Sequence, residues 1–407
     1  MINLPQGWEV KKLGEIFNIE RGGSPRPIKE FLTDKEDGIN WIKIGDIKNQ
    51  KYLYATEEKI IQEGLKKSKL VIEGDLLVSN SMSFGKPVIV KLQKGAIHDG
   101  WLLLKEKINL NKEYFYYLFS SNFMYDFLSY QASGSTVKNL NIDKLKQIEI
   151  PLPPLQEQER IVGILDESFA KIDESIKILE QDLLNLDELM QSAMQKSFNP
   201  LKDNTKENYK LPQGWEWKSL GDIGEIITGT TPSKNNPNFY GNEYPLFKPS
   251  DLNGDMVIKY ASDNLSKVGF DNARNLPKNT ILIVCIGASI GKVGLSGVNG
   301  SCNQQINAII PSSTFVSKYL FFVCLSNYFQ EILKKNASQT TLPIINKTEF
   351  SKLKIPLPPL QEQEQIASYL DRLSLNIKDL KQNYQTQIKN LQELKKSLLD
   401  KAFQGRL

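Results

Sequence analysis

His98 is the only histidine among 407 residues. No Ser/His/Asp triad or Cys/His pair can therefore be built more than once, and no HExxH helix or paired-histidine metal site exists. Cys285, Cys302 and Cys324 form no CxxC pair and are odd in number, which argues against a disulfide framework or a cysteine zinc site and reads as buried thiols. Gly287 to Lys292 (GASIGK) falls one residue short of phosphate-loop spacing and lacks the Ser/Thr that would hold magnesium, so it reads as a turn. Glu57-Glu58-Lys59 lacks the upstream acid a nuclease needs and reads as solvated surface. Neither GxGxxG nor the Asn-Pro-Pro-aromatic motif of amino-methyltransferases occurs, since Asn199-Pro200 runs on into Leu201 and Lys202. The sequence predicts a binding protein with no catalytic residues, no metal and no cofactor of its own.

The elements that would position a binding surface are written twice. Ile150 to Glu159 reads IPLPPLQEQE, and Ile355 to Glu364 repeats it letter for letter, 205 residues later. The proline cluster favours an extended approach, while the Gln/Glu run suits a helix's first turn, where negative charge meets the positive end of the macrodipole. After the first copy, Val162, Leu165, Phe169, Ile172, Ile176, Leu179, Leu183, Leu186, Met190 and Ala193 advance in steps of three and four. After the second copy the series is Ile366, Leu370, Leu373, Ile377, Leu380, Tyr384, Gln387, Leu391, Leu394 and Leu398. This is coiled-coil seam spacing. Helices of about 40 residues would each extend about 60 Å, beyond the usual globular length.

LPQGWE opens both halves, at Leu4 to Glu9 and Leu211 to Glu216. SFGK at Ser83 to Lys86 answers SIGK at Ser289 to Lys292, and ASGST at Ala132 to Thr136 answers ASQTT at Ala337 to Thr341. The molecule is thus one unit of lobe plus long helix, written twice with diverged lobes. Short apolar runs at Trp41–Ile44, Asp75–Val78, Pro87–Leu92, Trp101–Leu104, Ile281–Ile286 and Ile306–Ile310 read as strands, and the aromatic-rich stretches Lys112–Tyr130 and Val316–Lys335 as helices against the sheet. The fold class expected is α+β: two duplicated mixed α/β lobes joined by two long antiparallel helices that form a coiled coil with a pseudo-two-fold axis. The antiparallel sense follows from connectivity, because the second helix starts at the second lobe and must run back to pair with the first. The expected boundaries are lobe one 1–152, helix one 153–198, a polar linker 199–210, lobe two 211–357 and helix two 358–407.

Composition is that of an ordinary soluble protein, with 40% hydrophobic and 24% charged residues. No run of about 18 apolar residues and no leader-like amino terminus is present, so a cytoplasmic protein is expected. The net charge of +4 is unevenly placed: residues 1–156 carry +3, 157–198 carry −6, 199–357 carry +5 and 358–407 carry +2. Mildly basic lobes are compatible with phosphate contacts but do not demand them.

The LPQGW-type lobe start, the IPLPPLQEQE approach to each helix, the duplication of both and the terminal KAFQGRL together resemble the specificity subunit of type I restriction-modification systems. The resemblance spans essentially the whole chain. It implies that each lobe is a target recognition domain reading one half of a bipartite, asymmetric double-stranded DNA site, with the helices spanning an unread spacer. It also implies two modification subunits, adenine methyltransferases that use S-adenosylmethionine, and ATP-driven motor-nuclease (restriction) subunits. Chemistry would belong to those partners, each flipping one adenine out of the stack.

On that reading, unlike half-sites need unlike loops on a shared scaffold. The candidate contacts in lobe one are Arg21, Ser24, Arg26, Lys29, Lys43, Asn80, Lys86, His98 and Asp99. Those in lobe two are Thr230, Thr231, Ser233, Lys234, Lys248, Lys292, Asn303, Gln304 and Gln305. Arg suits the paired acceptors of guanine, and Asn and Gln suit adenine edges. Gly85-Lys86 and Gly291-Lys292 recur, which favours a shared phosphate or turn role. Exposed flanks of the seam such as Ile161, Ile164 and Leu184 point to a further helical partner surface, with simple lobe packing as the alternative. The competing expectation is a non-enzymatic coiled-coil scaffold whose lobes bind protein or another ligand; it predicts no salt-dependent DNA affinity.

Overall fold

The structure is a computed structural model that describes residues 5–48, 50–80, 85–132, 142–198, 211–338 and 342–407. The linker at 199–210, together with Leu4, Ser83, Phe84, 133–136 and 339–341 of the repeated motifs, lies outside the described residues. The chain forms two compact units, residues 1–179 with 385–407 and residues 180–384.

In the first unit a five-stranded sheet runs in the order Phe17–Arg21, Trp101–Glu106, Leu76–Ser79, Pro87–Val90, Tyr52–Leu53, antiparallel except for the last pair. Its centre, Leu76–Ser79, is buried on both faces, as its unbroken apolar run requires. Leu76 and Val78 face a core shared with the helices Lys112–Ser120 and Asn122–Ala132, while Leu77 faces a second layer. That layer is a four-stranded sheet in the order Glu58–Ile60, Ile39–Ile42, Lys94–Ile97, Lys69–Ile72. The second unit repeats the plan with Ile226–Thr228, Ile306–Ile309, Ile281–Val284, Val293–Ser296 and Val257–Ile258, beside a three-stranded sheet of Asp263–Leu265, Tyr240–Phe247 and Ser301–Cys302. In both lobes the aromatic helical stretch is broken once. Ser121 and Ser326 turn their hydroxyls onto Leu118 O and Val323 O at 2.6 Å each, and each then caps the next helix.

The long helices are Leu155–Phe198 and Leu360–Phe403, 44 residues each. The identical decapeptides that precede them have a structural reason. Gln158 and Gln363 are buried at 2% and 1% exposure. Gln158 donates to Pro153 O at 2.9 Å and accepts from Asn111 N, also at 2.9 Å; Gln363 donates to Pro358 O at 2.8 Å and accepts from Val316 N at 2.8 Å. A buried amide satisfied from both sides locks each helix start to its lobe. Lysines reinforce the junction, Lys51 with Asp166 at 2.8 Å and Lys318 with Asp371.

Within each unit the two helices run antiparallel. In the first, Lys395 meets Asp173 at 2.6 Å and Arg160 donates to Leu407 O at 3.0 Å; in the second, Lys381 pairs with Asp187. The last aromatic of each helix seats in the unit built around the other repeat's lobe. Phe403 packs edge-on against Tyr114 at 5.3 Å and Phe198 against Tyr319 at 5.5 Å. Each tyrosine hydroxyl is tied to a backbone carbonyl, Pro151 O at 3.0 Å and Pro356 O at 2.7 Å.

The second helix's seam departs from the apolar series. Leu380 and Leu394 are exposed at 42% and 45%, and Gln387 is exposed as well. The inward positions are instead Ile377, Lys381, Tyr384, Ile388, Leu391, Lys395 and Leu398. The two lysines lay their aliphatic stems along the seam and hand their ammonium groups to aspartates of the facing helix.

Candidate nucleic-acid interface

Each lobe builds one loop tip by the same sequence of contacts. The loop after the first sheet strand begins at Gly22 in lobe one and Gly229 in lobe two, where N–H groups donate to Trp101 O at 2.9 Å and Ile306 O at 3.0 Å. A Cβ on Gly22 would stand 2.2 Å from His98 O, and one on Gly229 would stand 2.2 Å from both Cys302 O and Asn303 O. Only glycine admits so close an approach of two backbones. The approach brings hydroxyls at 24 and 231 to the next turn: Ser24 Oγ donates to Asp99 Oδ1 at 2.8 Å, and Thr231 Oγ1 donates to Gln304 Oε1 at 2.8 Å.

His98 and Asn303 have matching roles in that turn. His98 Nδ1 accepts from Gly100 N at 2.6 Å, and Asn303 Oδ1 accepts from Gln305 N at 3.1 Å. Beside the turn stands a second repeated motif, Lys43-x-x-Asp46 and Lys248-x-x-Asp251, in which the aspartate accepts the lysine's own N–H at 2.7 and 2.8 Å. Its other oxygen takes Glu57 N at 3.2 Å and Ser262 N at 3.0 Å. The lysine ammoniums pair with Glu58 at 3.0 Å and with Asp263. The bond to Glu58 raises the Lys43 ammonium above its ordinary value, and the bond to Lys248 lowers the Asp263 carboxyl below its own. Lys43 and Asp263 are thereby each held in the charged form at neutral pH.

In lobe one a cleft of about 840 Å³ is lined by Ser24, Pro25, Arg26, Pro27, Ile28, Trp41, Lys43, Glu58 and His98. Asp99 borders it, 53% exposed and 3.7 Å from Arg26. Mixed donors and acceptors of this kind suit base edges better than phosphates, which call for cations alone.

The structure gathers Ser24, Arg26, Lys43, His98 and Asp99 in one place, and in lobe two Thr230, Thr231, Asn303, Gln304 and Gln305. Ser233 and Lys234 continue the same exposed loop, and Lys248 lies in its equivalent pair with Asp263. Arg21, Lys29 and Lys86 are exposed but do not line the cleft, and Lys292 is exposed with Nζ 3.3 Å from Pro249 O. Gly85 and Gly291 hold positive φ, 76° and 94°, so the paired Gly-Lys motif is a turn. Two expected contacts need correction. Asn80, just past the strand Leu76–Ser79, is fully buried, with no partner for either side-chain amide atom among the described residues. Asn303 is 6% exposed and spends its side chain on Gln305. Sequence reasoning missed Gly22, Gly229, Trp41, Asp46, Asp251, Glu58 and Asp263. The signal was present in the Lys-x-x-Asp motif, which recurs at the same offset of 205 as the helix openings.

Burial pushes the Cys285 and Cys302 thiols up to about 12 and raises Cys324 as well. All three should stay unreactive toward a disulfide reagent at pH 8 in the native protein and react fully in denaturant; a fast-reacting thiol in the native protein would contradict the packing. Among the described residues, no group of three or more His, Cys, Asp or Glu side chains is placed to hold a metal ion, and no helix is long and apolar enough to cross a membrane.

A profile described as the type I restriction modification DNA specificity domain matches twice, over residues 5–183 and 212–390. The chain belongs to that family. Each match spans one lobe and most of the long helix that follows it. Similar curated proteins include the type I restriction enzyme MjaIX specificity subunit of Methanocaldococcus jannaschii, 27% identical over 99% of this chain and 94% of that one. The HindI specificity subunit of Haemophilus influenzae is 24% identical over 98% and 99%. Among solved structures, a chain from a study of type I R-M assembly and conformational transition shares the fold with TM-score 0.79, 23% identity and full coverage of both chains. The HsdS subunit from Thermoanaerobacter tengcongensis shares it with TM-score 0.64, 23% identity and coverage of 99% and 98%. In this specificity-domain chain the repeated framework is common to the two lobes, and the side chains at the loop tips differ.

Proposed function

We propose that this chain is the non-catalytic DNA-recognition subunit of a type I restriction-modification complex, with target recognition domains at 1–152 and 211–357 that each read one half of a bipartite asymmetric site. The long helices, 153–198 and 358–407, set the unread spacer. Two modification subunits methylate one adenine in each half-site, and motor-nuclease subunits complete the assembly in the cytoplasm. The observation that carries this reading is a framework of matching bonds in two lobes whose exposed tips carry different side chains, Asp99 and Arg26 against Gln304 and Ser233. Two identical tips would suit a palindrome; unlike tips suit unlike half-sites.

Apolar side chains on the long helices offer partners a surface. Ile178, Leu184 and Leu189 on the first are 55%, 58% and 49% exposed, and Leu375 on the second is 56% exposed. Ile161, expected there from sequence, is instead 1% exposed and belongs to the core of the first unit. Ile164 is partly buried. No observation favours the scaffold reading.

The test is to map methylated adenines in DNA from cells with and without this chain, alongside its modification partner. The expected result is one motif with unlike halves and a fixed gap. Binding of that DNA by the assembled complex should also weaken steeply with salt, by a slope of about −0.9 per phosphate contacted. A methylation pattern indifferent to the chain would overturn the proposal.

A further inference from the structure

The two lobes share a set of contacts around the loop tip and differ in the acceptor that the loop hydroxyl meets. Gly22 and Gly229 make the same backbone approach, His98 and Asn303 cap the same N–H, and Ser24 and Thr231 donate to the same position. That position is Asp99 in lobe one and Gln304 in lobe two.

What remains free after the shared bond is opposite in the two lobes. An ionised aspartate only accepts. With Oδ1 taking the Ser24 proton, the rest of a side chain 53% exposed presents lone pairs to solvent, with the Arg26 guanidinium 3.7 Å away. Glutamine both donates and accepts. Thr231 engages the Gln304 oxygen, so the two N–H groups of Nε2 point away from the loop, with no further partner among the described residues, and the residue is exposed.

Resting on the reading of this surface as a DNA-recognition site, we propose that Asp99 and Gln304 determine specificity at equivalent positions of the two half-sites. Asp99 takes a cytosine through its N4 amino group, and Gln304 takes a base that offers a major-groove acceptor, the N7 of a purine or the O4 of thymine. Cytosine is favoured over adenine in lobe one because the adenine N7 acceptor beside N6 repels a carboxylate, whereas cytosine offers its donor alone. Arg26, next to Asp99, is suited to the O6 and N7 of the guanine paired with that cytosine. In lobe two a donor at Nε2 has no use for the cytosine amino group and finds an acceptor on any other base, the N7 of a purine or the O4 of thymine. The same scaffold thus reads complementary edges because one residue type changes.

The experiment uses the chain assembled with its modification partner and selects bound or methylated sequences from DNA randomised in both half-sites. Gln304→Glu replaces the free donor by an acceptor on an exposed side chain, and should move one position of the lobe-two half-site from excluding cytosine to preferring it. Asp99→Asn keeps an oxygen for Ser24 and should weaken the cytosine preference at one position of the lobe-one half-site by about tenfold or more. In each variant the other half-site stays as in the unaltered complex. Thr231→Val, which removes only the hydroxyl that orients Gln304, should blunt the discrimination against cytosine without inverting it. Unchanged preferences at every position in Gln304→Glu and Asp99→Asn complexes that bind as tightly as the unaltered one would overturn this assignment and leave the DNA-recognition reading standing. An unaltered complex with no bipartite preference at all would overturn both.

Discussion

Gly229→Val removes recognition of the lobe-two half-site and leaves the lobe-one half-site intact. The added Cβ would sit 2.2 Å from two carbonyl oxygens, those of Cys302 and Asn303. Neither oxygen belongs to a flexible side chain. Retreat of the turn would break the N–H bonds from Gly229 to Ile306 O at 3.0 Å and from Ile306 to Asn303 O at 3.1 Å, and Gln304 would move with it. Overpacking of this kind costs about 1–3 kcal/mol, and more where backbone atoms alone must give way. Gly22→Val is the mirror experiment, with His98 O at 2.2 Å and Ile97 O at 2.7 Å, and should act on lobe one alone. Gly163, in the first long helix, has nothing within 4 Å of its would-be Cβ. Gly163→Ala should therefore be neutral or stabilising by up to about 1 kcal/mol. Denaturant unfolding together with a base-preference profile of each complex reads all three; a Gly229→Val complex with an unchanged profile would show that the tip is not the reading surface.

Phe403→Ala exposes the core of the first unit while the second stays protected, and Phe198→Ala does the reverse. The phenylalanines are 3% and 4% exposed, each edge-on to a tyrosine whose hydroxyl is already committed to a backbone carbonyl. Neither site can close the gap by turning that tyrosine, so the cost should lie in the range of about 3–5 kcal/mol for a buried Phe→Ala change. That is a large part of a typical domain's stability. Amide exchange separates the two variants: Phe403→Ala should accelerate exchange in Leu102–Leu104 and Leu118, and Phe198→Ala in Ile281–Val284 and Leu320. Equal acceleration in both units by either variant would contradict the assignment of each helix end to one core.

The sequence was most informative where the fold depends on local periodicity and least where it depends on register. Two seams of three-and-four spacing do become two 44-residue helices. Yet the series through Leu380, Gln387 and Leu394 runs one residue off the inward line, which passes through Lys381, Ile388 and Lys395. An apolar count cannot detect a lysine whose stem is buried and whose charge is met by Asp173 or Asp187 across the seam. The aromatic helical stretches were visible as helix, but the breaks at Ser121 and Ser326 were not, since a serine that caps the second helix resembles any polar residue within the first. Asn80 illustrates the converse: its residue type fits a reader of adenine, and only its burial just past the strand Leu76–Ser79 removes it from the surface.

By itself the sequence determined that the chain is a duplication, that each half is a lobe followed by a long helix, and that no catalytic constellation is written twice. Those are properties of residue identity and spacing, and they survive without coordinates. Only the tertiary structure decided that positions 24 and 99 meet across 75 residues, that 231 and 304 meet across 73, and that Phe198 and Phe403 each complete the core around the other repeat's lobe. Contacts between distant segments depend on strand order and on which face of each pleat turns inward, and those are settled by packing the whole chain at once.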